Sequence, residues 1–227
     1  SLPQIIVQNI KAGKSQNIDT NIVDEILTIS GVTDAISRVW GYYYFENANI
    51  NFTLVGIDQY ENQYKTSIEN IITSSEIDKI DSESSMLVGI GVKKILSENY
   101  YSKYFNFIKP NGEFKKLTIA GTFKSDIQLE SNDMIIVSKE NARDIFGLEE
   151  SKATDIVVKV ANDDEIDTIS SKIQTRFPNL RIITNDDLKL SYTTIFDYKS
   201  GVFLALFIIS LFTFFMIIYD KASGLTS

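Results

Sequence analysis

The chain has 227 residues with 22 basic and 30 acidic side chains, a formal net charge of −8, and neither cysteine nor histidine. An acidic chain without a clustered basic face argues against a nucleic-acid partner and against a polybasic grip on anionic lipid. The missing residue types exclude disulfide bonds, thiol nucleophiles, histidine general bases and zinc sites built from Cys and His.

The first block of the chain reads as strand, helix, strand, strand. Residues 5–10 predict a strand, and Asp19 or Thr20 is placed to cap a helix that ends at Gly31. Two extended runs rich in β-branched and aromatic residues follow at 35–45 and 50–57, with a turn at 47–49 between them. The apolar stripe of the helix is predicted to comprise Ile22, Val23, Ile26, Leu27 and Ile29.

The middle of the chain has a different pattern. A polar, helix-compatible segment at 60–80 precedes short strands predicted at 85–88, 104–108, 114–123 and 134–137 and a short helix at 92–96. Pro110, Asn111 and Gly112 favour a hairpin turn because Asn and Gly accept a positive φ. Ser138 is predicted to cap a second short helix that ends at Gly147. This piece reads as a β-rich subdomain.

A second β-α-β block closes the domain. A strand at 155–160 precedes a capping pair, Asn162 and Glu165, and Pro178 ends the helix before a strand at 180–183. The sequence therefore predicts an α+β fold in which two β-α-β blocks flank an inserted β-rich subdomain. The apolar side chains of the second helix recur at helical spacing: Ile166, Ile169, Ile173 and Phe177. The predicted boundaries are 1–58 and 151–184 for the two halves of the outer subdomain, and 59–150 for the insertion.

The C-terminal part carries a long apolar run. Residues 200–219 read SGVFLALFIISLFTFFMIIY without a charged side chain. Twenty helical residues span about 30 Å, the thickness of a hydrocarbon core, and the hydroxyls of Ser210 and Thr213 can bond back to the preceding turn. The alternative is a buried core helix, but such a helix is seldom apolar on every face. We therefore expect a transmembrane helix at 200–219, with 220–227 starting a cytoplasmic segment.

A stalk is expected to precede this run. Thr184 can cap a helix that meets no breaker before Gly201, so one continuous helix of about 50 Å is predicted from residue 186 to 219. Residues 185–199 would stand above the membrane, with Leu188, Tyr192 and Ile195 along the stalk. Because the chain starts in a strand-like segment without signal-peptide features, we also expect a transmembrane helix upstream of residue 1.

The sequence offers no catalytic constellation, cofactor site or metal site. The acidic pairs Asp163-Asp164 and Asp186-Asp187 lie where helices are predicted to begin, where capping and the helix dipole explain them. The Gly89-Ile-Gly91 segment lacks the third glycine of a dinucleotide turn, and no GxxxxGK[ST] phosphate loop occurs. We therefore expect a non-enzymatic chain, and any ATP hydrolysis would belong to another polypeptide or another part of this one.

One aromatic cluster is unusual. It consists of Trp40, Tyr42, Tyr43, Tyr44 and Phe45. Strand alternation places Trp40, Tyr42 and Tyr44 on one face of the sheet. Two interpretations stay open: core and half-exposed sheet, or an exposed platform that contacts a partner or an amphiphilic substrate.

The order of these pieces resembles the MacB-like periplasmic core domain of ABC-transporter permeases in the FtsX/MacB/LolC-LolE superfamily. The segments 29–32 (ISGV), 53–58 (TLVGID), 87–91 (LVGIG) and 117–123 (LTIAGTF) are similar to family motifs, and the apolar run falls at the family's second transmembrane helix. Residues 97–101 depart from the usual turn of the family. The resemblance covers essentially the whole chain.

The resemblance implies an architecture and a set of partners. The outer blocks would be the Porter subdomain and the insertion the Sabre subdomain, at the extracytoplasmic side of the inner membrane up to about residue 199. A cytoplasmic ABC ATPase and an identical or different permease subunit would be partners, besides membrane lipid and a periplasmic adaptor or carrier protein. Stalk helices would transmit ATP-driven movement to the external domain. Lys199 and Lys221 nearly balance, so charge does not set the orientation.

Two other functional classes remain open at the sequence level. One is an FtsX-type signalling protein that activates a cell-wall hydrolase. The other is a single-span receptor domain that binds a small ligand.

Overall fold

A computed structural model describes residues 3–58, 84–123 and 132–187, together with 206, 207, 209–211, 213, 214 and 216. The chain divides into two compact units, Ser1–Ile183 and Thr184–Ser227. The helix-compatible segment 60–80 and the stalk residues Leu188, Tyr192 and Ile195 lie outside the described residues.

The elements of the first unit follow the predicted order closely. The described strands are β1 (Ile5–Lys11), β2 (Lys14–Gln16), β3 (Ile18–Asp19), β4 (Val32–Phe45), β5 (Ile50–Ile57), β6 (Ser85–Gly89), β7 (Tyr104–Ile108), β8 (Phe114–Phe123), β9 (Met134–Ser138), β10 (Lys152–Ala153), β11 (Asp155–Val160) and β12 (Leu180–Thr184). The described helices are α1 (Ile22–Leu27), α2 (Ile90–Glu98), α3 (Lys139–Phe146) and α4 (Ile166–Arg176). The predicted α+β class is confirmed.

Local turn and cap signals account for several boundaries. Lys109 N donates to Glu113 O at 2.8 Å across the hairpin between β7 and β8, where Gly112 has a φ of 83°. The Ser138 hydroxyl accepts from Asn141 N at 3.2 Å and starts α3, and Gly147 ends it in the left-handed region. Each of these signals acts within a few residues, so the sequence alone is enough to place it.

The start of α1 departs from its prediction. Asp19 forms an ion pair with Lys152, with 2.6 Å between Oδ1 and Nζ, so its carboxylate does not cap the helix. The Thr20 hydroxyl donates to Ser151 O at 3.2 Å, and α1 begins at Ile22, with Asn21 at the N-cap position making no side-chain cap. Leu27 is 43% exposed, so its assignment to the buried stripe is wrong. At Asp19, a contact with a distant strand overrides the local capping signal. At Leu27, the helical spacing predicted burial, but the side chain stays exposed.

The capping pair before α4 also differs in detail. Asn162 Oδ1 accepts from Asp164 N at 3.1 Å and caps a 3-10 turn, Asp163–Glu165, that precedes the helix. The amide of Glu165 instead donates to the backbone carbonyl of Asn162 at 3.0 Å. The tighter turn moves the start of α4 to Ile166.

The two β-α-β blocks interleave in one sheet. The strand order at this end is β12-β1-β11-β4, with β11 antiparallel to both β1 and β4. The two strands of the first block, β1 and β4, therefore leave a slot that β11 of the second block fills. In the same way, β1 fills the slot between β11 and β12. Neither block has a complete sheet without the other.

Strand β4 pairs with different strands in its two halves. Its first half pairs with β11, and the half Val39–Phe45 pairs with β5 in antiparallel register, Tyr43 lying opposite Phe52. The sheet continues from there in the order β5-β9-β6-β8-β7. Strand β5 is parallel to β9, and β6 is parallel to β8.

Two main hydrophobic cores lie along this sheet. The core of the β-α-β blocks, which we call the aliphatic core, consists of Ile5, Val7, Ile18, Ile26, Ala35, Ala153, Ile156, Val158, Val160, Ile169 and Ile173. The second, which we call the aromatic core, consists of Val39, Phe45, Phe52, Leu54, Met86, Val88, Val92, Leu96, Phe105, Phe107, Leu117, Ile135, Val137, Ala142 and Ile145. A smaller cluster contains Ile57, Leu87, Phe123 and Ile136.

Helix α3 approaches β4 and β5 closely over two glycines. A Cβ atom at Gly56 would lie 2.7 Å from Ala142 Cβ and 3.0 Å from Lys139 Cα. A Cβ atom at Gly41 would lie 2.9 Å from Phe146 Cζ. Interiors are packed to near-crystalline density, so a larger residue at either position requires a neighbouring group to shift.

In the second unit, Thr184 starts a helix as predicted. Its hydroxyl accepts from Asp187 N at 3.2 Å, and the Asp187 carboxylate accepts from Thr184 N at 2.9 Å, a reciprocal capping arrangement. The described residues between 206 and 216 are helical, and the Thr213 hydroxyl donates to Ile209 O at 2.9 Å, as expected. Within the described part of the chain, no helix is both long and apolar enough to cross a membrane.

Candidate functional site

The aromatic run on β4 divides between two environments. Tyr42 and Tyr44 are 67% and 54% exposed, whereas Phe45 is buried and Tyr43 is half-buried in the aromatic core. This division follows the predicted alternation of the strand. The core interpretation is therefore confirmed for Tyr43 and Phe45, and contact with a partner or substrate stays a prediction for the exposed residues.

Trp40 is fixed by a buried ion pair. Asp155 is fully buried and accepts a bidentate hydrogen bond from the Arg38 guanidinium. Arg38 Nε lies 2.6 Å from Oδ1, and a terminal guanidinium nitrogen lies 2.5 Å from Oδ2. The indole Nε1 of Trp40 donates to the same Oδ2 at 3.0 Å. Planar, charge-assisted contacts of this kind are the strongest protein hydrogen bonds and restrict orientation. The indole is therefore held in place beside its neighbour Tyr42, with ring centroids 6.0 Å apart.

The backbone of Trp40 is also satisfied by a side chain. Thr154 Oγ1 accepts from Trp40 N at 3.1 Å and donates to Trp40 O at 2.8 Å. These contacts lie on the edge of β4 that faces away from β5, because Arg38 O on the same edge accepts from Thr154 N at 2.8 Å. Thr154 thus marks where the pairing of β4 with β11 ends.

Tyr43 reaches across to the last strand of the sheet. Its hydroxyl accepts from Ile108 N of β7 at 2.8 Å, and its ring lies edge-on to Phe107 with a centroid distance of 4.9 Å. Burial raises the pKa of Tyr43 above its ordinary value of 10.0, although the Ile108 amide acts in the opposite direction. The phenol is therefore neutral at physiological pH and available for this contact.

Phe105 lies at the centre of the rings between β4 and β7. Its ring contacts Tyr43, Phe45, Tyr101 and Phe107 at centroid distances of 6.0, 5.2, 4.9 and 4.8 Å, all edge-on. Edge-on geometry matches the positive edge of one ring with the negative face of the next. The run 40–45 was identified from the sequence, but the contribution of β7 was not, because no local signal links the two strands.

A charged cluster closes the same region at the hairpin end. The Asp144 carboxylate of α3 forms ion pairs with Lys109 and Lys115, each with 3.1 Å between Nζ and a carboxylate oxygen. Lys109 Nζ also lies 2.7 Å from a carboxylate oxygen of Glu113. Burial raises the pKa of Asp144, but the hydrogen bonds and charges of the two lysines outweigh it and the pKa is lowered. The hydrogen bond to Glu113 is the main reason why the pKa of Lys109 is raised.

Within the described ranges, no group of three or more Asp or Glu side chains is placed to hold a metal ion. The acidic pairs noted in the sequence lie at the 3-10 turn before α4 and at the start of the helix after Thr184. Asp164 of the first pair and Asp187 of the second take part in the capping contacts described above, with Asn162 and Thr184 respectively.

Comparison with solved structures finds a number of similar chains, of which two serve as examples. No protein-family model matches the chain, and no curated protein is significantly similar to it in sequence. The periplasmic region of MacB from Actinobacillus actinomycetemcomitans is 12% identical in sequence, with a TM-score of 0.49. The aligned part covers 83% of this chain and 92% of the MacB chain. The extracellular domain of the noncanonic ABC-type transporter YknZ from Gram-positive bacteria is 10% identical in sequence, also with a TM-score of 0.49. The aligned part covers 79% of this chain and 99% of the YknZ chain.

Proposed function

We propose that this chain is the extracytoplasmic domain and second transmembrane helix of an ABC-transporter permease. It couples cytoplasmic ATP hydrolysis to extraction or export of a substrate at the outer face of the inner membrane. The observation that carries the proposal is the connection between β12 and the capped helix start at Thr184 and Asp187. This start precedes the charge-free run at 200–219 without an intervening glycine or proline before Gly201.

The mechanism we propose is mechanical. A continuous helix is stiff because each of its residues is tied to the next turn, whereas a loop would absorb movement. The stalk at 185–199, with Leu188, Tyr192 and Ile195, would carry ATP-driven movement from the membrane to the interleaved β-α-β blocks, which correspond to the Porter subdomain. The β-rich part corresponds to the Sabre subdomain.

The proposed partners follow from this arrangement. A cytoplasmic ABC ATPase supplies the energy, since the chain has no phosphate loop, and an identical or different permease subunit completes the transporter. A periplasmic adaptor or carrier protein would meet the external domain. Trp40, Tyr42 and Tyr44 are the proposed contact residues, because Tyr43 and Phe45 are directed into the aromatic core.

The stalk can be tested by insertion. Four glycines placed after residue 197 should uncouple ATP hydrolysis from movement of the external domain, and four alanines at the same point should uncouple it far less, because alanine maintains a helix. The chain lacks cysteine, so Tyr100→Cys provides a unique label at a side chain that is 97% exposed. Spin-label distances across the reconstituted permease pair, measured with and without ATP, report the movement.

Supporting and contradicting results of this experiment differ clearly. An ATP-dependent change of distance that the glycines abolish while ATPase activity persists supports the proposal. An unchanged ATP response in the glycine variant contradicts rigid transmission, and failure of any phosphate-loop ATPase to co-purify with the chain contradicts the transporter assignment. Mass spectrometry of ligands that co-purify with the complex would then identify the substrate.

A further inference from the structure

Two strand edges face each other without pairing. Along β4, Val39–Phe45 pairs with β5, and within the described residues its other edge has no strand partner beyond Thr154. Strand β7 is the last in the sheet order and pairs with β8 alone. The contact between Tyr43 and Ile108 places these two edges opposite one another. We call the gap between them the open seam.

The direction of the backbone groups follows from ladder alternation. In an antiparallel pair, alternate residues direct both their N–H and C=O groups to the same neighbour. Trp40 directs its groups away from β5, towards Thr154, so Tyr42 and Tyr44 do the same. Ile108 N points away from β8, so Tyr104 and Asn106 also direct their groups outwards.

The two backbones are too far apart to pair directly. Hydrogen-bonded strands lie about 4.8 Å apart, whereas here a whole tyrosine side chain and its hydrogen bond span the gap. The seam is filled from below by the rings of Tyr43, Phe105 and Phe107. Along its outer side, Tyr42, Tyr44 and Tyr104 are exposed and Asn106 is half-buried.

The side chains along the seam indicate what would enter it. Exposed Tyr42 and Tyr44 border one side and exposed Tyr104 and Ile108 border the other, with exposed Phe114 opposite Ile108 on the next strand, β8. In an acidic chain, the segment 103–118 carries four lysines and one glutamate. Lys109 and Lys115 are engaged by Asp144, while Lys116 extends over the outer face of the Tyr104 ring at 4.0 Å. The seam therefore combines unpaired backbone, apolar borders and positive charge.

We propose that the open seam binds an extended, acidic polypeptide segment of a partner protein, which adds as a strand between β4 and β7. Exposed strand edges recognise such segments through main-chain hydrogen bonds, and pockets for alternate side chains give specificity. Apolar side chains of the segment would pack between Tyr42 and Ile108, and its carboxylates would approach Lys116. The proposal rests on the strand edges and the side chains beside them, and it is independent of the transporter assignment.

The test uses the full 227-residue chain in mild detergent. A phage-displayed library of random dodecapeptides is selected against it, and the best recovered peptide is synthesised. We expect recovered sequences in which apolar residues alternate with positions that include Asp or Glu. Amide hydrogen exchange of the complex should slow at least tenfold at Tyr42, Tyr44, Tyr104 and Asn106.

Two controls address the backbone contacts. The same peptide N-methylated at alternate residues should bind at least tenfold more weakly in either register, since one register removes the donors to β4 and the other removes the donors to β7, without touching the protein. Asn106→Pro removes an outward N–H from an edge strand, where proline is tolerated, and should weaken binding similarly. Lys116→Glu should weaken binding of an acidic peptide, and Tyr100→Ala, outside both strands, should leave binding unchanged.

Several results would overturn the proposal. They are the absence of any enriched peptide, equal affinity of both N-methylated peptides and the parent, and protection confined to other amides. Protection of the seam amides that rises with protein concentration without peptide would identify a second copy of the chain as the occupant instead.

Discussion

The aliphatic and aromatic cores differ in how the strands above them are joined. Over the aliphatic core, β12, β1, β11 and β4 are neighbours in one sheet, with a single register shift between β11 and β4 at Lys159/Val160, and the buried side chains are Ile, Val and Ala. Over the aromatic core, the sheet ends at β7 and faces the free half of β4 across the open seam. Four phenylalanines and the half-buried Tyr43 lie there.

This difference shows how side-chain size compensates for missing backbone pairing. Strands about 4.8 Å apart leave only a shallow space that β-branched residues fill. Where two strands do not pair, a wider space must be filled, and only rings span it. Edge-on ring pairs contribute about 0.5–1.5 kcal/mol each beyond the area they bury, which offsets part of the missing ladder.

The largest expected effect distinguishes the two cores directly. Phe105→Leu removes four edge-on ring contacts and should lower the free energy of unfolding by about 2 kcal/mol or more. In the aliphatic core, the matched swap Ile173→Leu conserves volume and should cost less than about 1.5 kcal/mol. Urea denaturation of both variants measures the two values. Equal losses would show that the rings contribute no more than their buried area.

A smaller effect is expected where α3 meets the sheet. Gly56→Ala places a Cβ against Ala142 and the backbone of Lys139, and such overpacking costs about 1–3 kcal/mol. Gly41→Ala meets only the far end of the Phe146 ring, which can shift, so its loss should be smaller. Thermal unfolding of the two variants provides the comparison. A larger loss for Gly41→Ala would mean that the ring is the more rigid of the two neighbours.

The smallest effect concerns pH and the closure of the aromatic end. The pKa of Asp144 in the folded chain lies below its ordinary value of 3.8. Its carboxylate therefore stabilises the fold above that pH, and this contribution is lost as the pH falls towards the folded pKa. Asp144→Asn should make the loss of stability below pH about 4 less steep, as judged from denaturation midpoints between acidic and neutral pH. An identical acid profile in Asp144→Asn would argue that Lys109 and Lys115 do not stabilise the fold through this carboxylate.

Local signals made much of the fold predictable. Strands β5, β7 and β8 have the bounds that alternation and turn residues predicted, and Ser138 and Gly147 delimit α3 as expected. The alternation also placed Trp40, Tyr42 and Tyr44 on one face of the sheet, and the structure shows Tyr42 and Tyr44 exposed there. Each of these inferences depends on residues close together in the sequence, where spacing determines geometry.

Contacts between distant segments were beyond such reasoning. The cap of α1 was misassigned because Asp19 is engaged by Lys152, and the Arg38–Asp155 pair that fixes Trp40 joins positions 117 residues apart. The open seam depends on the strand order β8-β7 at one end and on Tyr43 at the other. Neither the order nor the gap leaves a periodic trace in the sequence.

The two cores share strand β4, and this has a consequence for folding. Its residues Ala35, Val39, Tyr43 and Phe45 lie on one face, and Ala35 belongs to the aliphatic core while the others belong to or pack against the aromatic core. A slip of one residue in the pairing of β4 would turn this whole face outwards. Both cores would then be exposed by the same error, so correct registration of one half enforces registration of the other.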